Sequence, residues 1–201
     1  PNANIVVDKF HIVQLLTREL NKLRINEMKK LNTRSREYKI LKRYWKIPLT
    51  KNWELNSIYF YKNIHFKNMT SSVDILDYML GKFPNLKEAY DFYQNFLLSI
   101  SNNDVAMLED ILNTRTDKIP MCFRKSIKTL KKLRKYVVNS LKYDYTNAMV
   151  EGKNNKIKVI KRVSYGYRSF RNFKARIMLM ERYKIQKGNI HSYKFAMDAA
   201  A

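Results

Sequence analysis

Two acids stand apart from the other carboxylates by their surroundings. Asp8 closes the β-branched apolar run Ile5-Val6-Val7 and precedes the first apolar residues at helical spacing. Glu151 opens a long basic stretch, Val150-Glu151-Gly152-Lys153-Asn154-Asn155-Lys156-Ile157-Lys158. At about 100° per residue, Asn155, Lys158 and Arg162 share a helical stripe with Glu151, while Ile157, Ile160 and Val163 fall opposite. Lys158 is then about two turns, or ~10 Å, from Glu151. A carboxylate, an amide and two cations on one face suit a metal-binding acid flanked by phosphate contacts. Lys153 and Lys156 depart from the pattern, since they project towards the apolar side and would have to snorkel. Each acid also has a purely structural reading. Asp8 is well placed as a helix N-cap, and Glu151 favours the positive end of a helix. Gly152 early in a helix costs about 1 kcal/mol relative to alanine. Close approach by a ligand, or a helix that starts later, would account for it.

Other reactive side chains carry less. His11 follows Asp8 by three positions, a spacing that could serve one ligand, although a structural or partly exposed histidine is the simpler reading. His65 and His191 have no partner in the sequence. Trp45 and Trp53 read as core aromatics ahead of base-stacking platforms, and the methionines as core filler.

The elements that carry these groups are mostly helical. Ile5-Val6-Val7 reads as a short buried strand. Phe10, Val13, Leu16, Leu20, Leu23, Met28 and Leu31 predict a helix over about 9–31. A second helix with Tyr38, Leu41, Tyr44 and Trp45 stops before Pro48. Residues 49–70 lack a period. Ser71 with Asp74 resembles a capping box opening a helix that ends near Gly81. Pro84 precedes the next helix, and Asn102-Asn103 breaks it and caps another containing Val105, Leu108 and Leu112. Pro120 opens one long helix with Phe123, Ile127, Leu130, Leu133, Val137 and Leu141 inside. Two last helices cover about 152–164 and 170–186, separated by Ser164-Tyr165-Gly166-Tyr167. The fold is mainly α, with at most one or two strands.

Composition narrows the function classes. The 201 residues hold 40 Lys and Arg against 17 Asp and Glu, for a net charge of +23. A hydrophobic share of 45% supports a packed core and excludes a wholly disordered chain. The single Cys122 excludes a disulfide framework and a cysteine-based zinc site, and points to a reduced thiol. No apolar run reaches the roughly 18–20 residues of a membrane span, and no signal peptide precedes the first helix. A chain that opens on Pro1 and a strand-like run is expected to be a piece of a longer protein, with Ala199-Ala200-Ala201 an added tail. The charge is unevenly spread. Residues 118–142 and 153–176 each carry nine Lys or Arg and no acid, whereas 74–117 hold eight acids against Lys82, Lys87 and Arg115. Two acid-free cationic runs point to nucleic acid as the partner, because clustered cations neutralise phosphates.

Two segments also resemble a known family. Val6-Val7-Asp8-Lys9-Phe10-His11-Ile12-Val13-Gln14, followed by Leu20-Asn21, is similar to the second-aspartate segment of DDE transposases of bacterial insertion sequences, of the ISL-three type. The string from Val150 to Arg162, then Tyr165-Gly166-Tyr167 and Phe170-Arg171-Asn172-Phe173-Lys174-Ala175-Arg176-Ile177, resembles the glutamate segment of the same group. A lysine seven positions after the glutamate, Lys158, fits a further transposase signature; the arginine that signature places four positions before it is Asn147 here. The resemblance implies the helical C-terminal portion of a ribonuclease-H-like α/β catalytic domain that lacks its first strands and has an all-helical insertion. Residues 1–69 would hold the second-aspartate segment and following helices, 70–118 the insertion, and 119–201 the glutamate-bearing and basic C-terminal helices. It implies Asp8 and Glu151 as catalytic and metal-binding acids for two Mg²⁺ ions, with the first aspartate upstream of Pro1 and this chain inactive alone. Lys156, Lys158, Lys161 and Arg162, then Arg168, Arg171 and Arg176, would contact DNA, at transposon ends and target. A homodimer or higher synaptic complex and a cytoplasmic, nucleoid-associated location follow from the same likeness. Two other readings compete: a non-catalytic basic helical nucleic-acid-binding module, in which both acids are caps, and a bundle that binds acidic membrane surfaces or other proteins.

Overall fold

The computed structural model describes residues 4–143, 145 and 147–182. The chain divides into two compact units, residues 1–145 and 146–201. The first unit is helical. Its helices are α1 (Lys9–Lys29), α2 (Arg36–Arg43), α3 (Ser72–Lys82), α4 (Pro84–Ser101), α5 (Val105–Asn113), α6 (Arg124–Lys132) and α7 (Arg134–Lys142). A two-residue hairpin, β1 (Tyr61–Lys62) with β2 (Met69–Thr70), lies between α2 and α3, Tyr61 opposite Thr70. Short 3-10 turns at Ile47–Leu49, Asn52–Glu54, Thr116–Lys118 and Met121–Phe123 join the rest. The second unit holds α8 (Ala148–Val163) and α9 (Phe170–Arg182), packed on each other. Among the described residues no helix is long and apolar enough to cross a membrane.

Helix α1 is the hub of the first unit, packed against α2, α4, α6 and α7. Its stripe Ile12, Leu16, Leu20 is buried and continues to Arg24. That guanidinium is buried, and among the described residues it meets neutral oxygens. Its Nη1 donates to the Leu41 carbonyl at 2.6 Å, while Nε and Nη2 donate to Asn21 Oδ1 at 2.9 and 2.8 Å. The Thr17 and Tyr93 hydroxyls, 2.8 Å apart, tie α1 to α4. Helix α3 starts on the predicted capping box: Asp74 N donates to Ser71 Oγ at 3.2 Å and Ser71 N to Asp74 Oδ2 at 2.7 Å.

Four expectations are corrected. Residues 5–7 form no strand. They run extended, and side chains of α7 replace a ladder partner: Asn139 Nδ2 donates to the Ile5 carbonyl at 3.0 Å, Val7 N donates to Ser140 Oγ at 3.1 Å, and the Ser140 hydroxyl donates to the Val7 carbonyl. Ile5 itself is exposed. The long helix after Pro120 is two helices broken at Leu133, which is exposed. On a continuous helix the centre of the stripe through Ile127, Leu130, Val137 and Leu141 falls near position 134. Arg134 stands there and reaches α5, with Nη2 3.1 Å from Glu109 Oε1 and Nη1 3.1 Å from Asn113 Oδ1. Asn102-Asn103 breaks α4 as expected, but Asp104 caps α5, accepting from Met107 N at 2.9 Å. Asn103 takes the left-handed φ of 55° instead. Helix α8 begins at Ala148, so Gly152 lies inside it. The predicted helical residues 183–186, His191 and Ala199–Ala201 lie outside the described residues.

Replacing Ser140 by alanine removes both hydrogen bonds to Val7. The expected result is a loss of about 1 kcal/mol in a denaturant titration. Faster amide exchange at Val7 should accompany it; unchanged exchange there would mean that the clamp does not hold the segment.

Candidate functional site

Asp8 ends the clamped segment and caps α1. It is half-buried with an extended backbone, and its Oδ1 accepts from Phe10 N at 2.7 Å. Its carbonyl accepts from His11 N at 3.0 Å and Ile12 N at 3.2 Å, so the helix grows directly from this residue. The N-cap reading of Asp8 is therefore a real interaction. It does not exhaust the group: a carboxylate offers about four lone-pair sites, so a cap bond and a cation are compatible. The His11 ring packs edge-on against Phe10, with centroids 5.5 Å apart.

Glu151 belongs to the second unit, in the first turn of α8, where its N–H donates to the Asn147 carbonyl at 2.8 Å. Glu151, Asn155, Lys158 and Arg162 are all exposed, as the stripe requires. On the other side Ile160 is buried and Ile157 half-buried, but Val163 is 69% exposed, so the apolar face is shorter than the sequence predicts. Lys153 and Lys156 are exposed, and Lys156 Nζ donates to the Met180 carbonyl of α9 at 3.2 Å. Lys161 lies on α8, Arg168 in the turn after it, and Arg171 and Arg176 on α9; all four are exposed. Helix α8 ends in a Schellman motif. Gly166 N donates to the Lys161 carbonyl and Tyr165 N to the Arg162 carbonyl, both at 3.1 Å. Tyr165 holds φ 53° and Gly166 φ 100°, and the Tyr165 side chain is fully exposed. A glycine after a run of helical spacing is the sequence signal for such an end.

Asp8 and Glu151 thus sit on different units, each at a helix start. Among the described residues, no three His, Cys, Asp or Glu side chains group into a metal site. The two carboxylates offer hard oxygen donors, and in donor chemistry they fit Mg²⁺.

The structure also gathers cations that the sequence reading did not single out. Arg34, Arg36, Lys39, Lys67 and His65 line one cleft beside the hairpin turn. The signal was present: residues 31–70 carry nine Lys or Arg against Glu37 and Glu54. The His65 imidazole is held below its ordinary pKa by partial burial, then by Arg43, Lys39 and Arg36.

Comparison with known proteins bears on these residues. The sequence matches the DDE transposase family of ISL-three type, described as a transposase, over residues 1–177. The chain belongs to that family. A protein of Lactococcus lactis subsp. lactis named "ATP-dependent protease" is 39% identical over 121 residues, covering 60% of this chain and 38% of the relative. The chain thus aligns with less than half of that protein's length. No solved structure matches. Transposases are enzymes that act on DNA, and those of the DDE type in general use divalent metal.

Two outcomes follow from these geometries. A Cβ at Gly152 meets nothing within 4 Å. Gly152→Ala should therefore raise helix stability by about 0.5–1 kcal/mol in a thermal melt, and a loss would show that the glycine is required by the fold itself. The His65 pKa is lower folded than unfolded, so protonation favours the unfolded chain. Stability should fall as pH drops through the ordinary histidine value near 6.5. The thermal midpoint of His65→Gln should fall less than that of the unaltered chain between about pH 7.5 and 5.

Proposed function

We propose that this chain is the helical, C-terminal part of a DDE transposase catalytic domain. In the complete enzyme it serves metal-dependent cleavage and strand transfer of DNA at insertion-sequence ends. The observation that carries the reading is the family match over residues 1–177, which contains both Asp8 and Glu151. In this reading the domain is ribonuclease-H-like, its early strands and first aspartate are contributed from outside this chain, and the chain alone is inactive. Residues 1–69 and 119–201 frame the catalytic half and 70–118 are a helical insertion. The cytoplasm, at the nucleoid, is the proposed location, and a homodimer or higher synaptic complex the working form.

Asp8 and Glu151 would hold the metal. When bound, a pair of divalent cations, Mg²⁺ in this proposal, activates the attacking water or DNA 3′-hydroxyl and neutralises charge on the leaving oxygen. The chain's own residues do the rest. Lys158 and Arg162, on the stripe of Glu151, hold phosphates beside the scissile bond, and Lys156 and Lys161 flank them. Arg168, Arg171 and Arg176 extend the cationic track along the DNA.

The competing reading, a non-catalytic basic nucleic-acid-binding module, draws on the cap bond of Asp8. Two substitutions in the complete enzyme separate them. Asp8→Asn keeps a good N-cap and removes the charge. Glu151→Gln keeps the shape of the stripe. Each should reduce DNA cleavage by at least about 10³-fold, roughly 4 kcal/mol of barrier, while DNA affinity stays within a few-fold. Cleavage that survives Glu151→Gln would end the catalytic reading and leave binding alone.

A further inference from the structure

We propose that the cleft between the start of α2 and the hairpin turn binds backbone phosphates of DNA. The first unit would thus grip the substrate independently of α8 and α9. This rests on the DNA reading above and adds a second binding surface to it.

The cleft has a volume of about 360 Å³ and is lined by Arg34, Arg36, Lys39, His65, Phe66 and Lys67. Its cations come from two directions. Arg34, Arg36 and Lys39 stand on and before α2, and Lys67 stands on the turn joining β1 to β2.

One cation is fixed in advance. Arg36 Nε donates to the His65 carbonyl at 2.7 Å, and its guanidinium lies 5.1 Å from the Phe66 ring centroid and 4.9 Å from that of Tyr78. This clamp joins α2 to the turn at the edge of the cleft. The neighbouring acid is already engaged: Glu37 Oε1 accepts from the Tyr78 hydroxyl at 3.0 Å, and its carboxyl is held below its usual range by a backbone hydrogen bond, then by that of Tyr78. Arg34, Lys39 and Lys67 are exposed, and among the described residues none of them forms an ion pair. Crowding of cations on this side is felt at His65, whose protonated form is disfavoured first by burial and then by Arg43, Lys39 and Arg36. An arriving polyanion relieves that repulsion and releases its own counterions, the main drive for non-specific DNA binding.

The test is made on the full chain with Arg34, Lys39 and Lys67 changed together to glutamine, and Arg36 left in place so that the clamp survives. Binding to a short random-sequence DNA duplex is measured against salt concentration, with a thermal melt as the folding control. Each lost phosphate contact lowers the slope of log affinity against log salt by about 0.9, so the triple change should lower it by about 2–3 and weaken binding roughly hundredfold near 0.1 M salt. The charge-preserving set Arg34→Lys, Lys39→Arg and Lys67→Arg should bind as the unaltered chain does. A triple variant with unaltered slope and affinity would overturn the cleft and leave the transposase reading intact. Failure of the unaltered chain to bind any duplex would overturn both. Cleft-dependent binding to phosphatidylserine vesicles in place of DNA would overturn the proposal too.

Discussion

Burial of α1 is the constraint on which the first unit depends. Ile12, Leu16 and Leu20 are shielded from water, and four other helices pack around them. Truncating one such leucine costs about 2–5 kcal/mol, whereas a helix cap is worth about 1 kcal/mol. The core therefore decides where α1 begins, and the cap follows. Asp8 inherits its position from residues one to three turns downstream. From the other side it is fixed by Asn139 and Ser140, which grip the extended segment just before it. A carboxylate held from both sides by residues far apart in sequence is positioned by the tertiary fold, not by its local sequence.

The second constraint is charge. A chain of net +23 repels itself, and that repulsion opposes compaction. The fold does not cancel it locally. Pairs such as Lys22–Glu19 and Lys30–Glu27 are exposed i,i+3 contacts, each worth about 0–1 kcal/mol. The one buried cation of α1, Arg24, is satisfied by neutral oxygens of Leu41 and Asn21. Eight of the 17 acids lie in residues 74–117, on and around α3, α4 and α5 and in the turn that follows. The basic surface is stable alone because its charges face water.

Most helices were legible because their signals are local. The period of α1, the capping box of α3 and Pro84 before α4 act within a few residues, and the structure follows them closely. Two of the misreadings involve a partner far away in sequence. Ile5-Val6-Val7 has the composition of a strand, but side chains of α7 satisfy its backbone, and no neighbouring strand is needed. At the break after Leu133, Arg134 meets Glu109 and Asn113 on another helix. The cleft beside α2 was hidden because a hairpin of two residues per strand, too short to announce itself, carries Lys67 back to Arg34. The stripe of α8 was legible for the opposite reason, since it lies on one helix and needs no partner to define it.

Local energetics leave the pairing of Glu151 with Gly152 unexplained. A carboxylate in the first turn gains about 0.3–1 kcal/mol from the helix dipole, and an interior glycine forfeits about the same amount. The two terms roughly cancel. Counting these two terms alone, the helix gains little from the pair, and alanine at 152 would meet no neighbour. Asp8 poses the same question more weakly. Ser35, Ser71 and Asp104 cap α2, α3 and α5, so this chain caps helices with hydroxyls as readily as with carboxylates. Capping accounts for a hydrogen-bond acceptor at position 8, and the helix dipole favours a charge there. Both acids lie within the matched family segment, and the metal-binding role proposed above gives each a second reason for its charge.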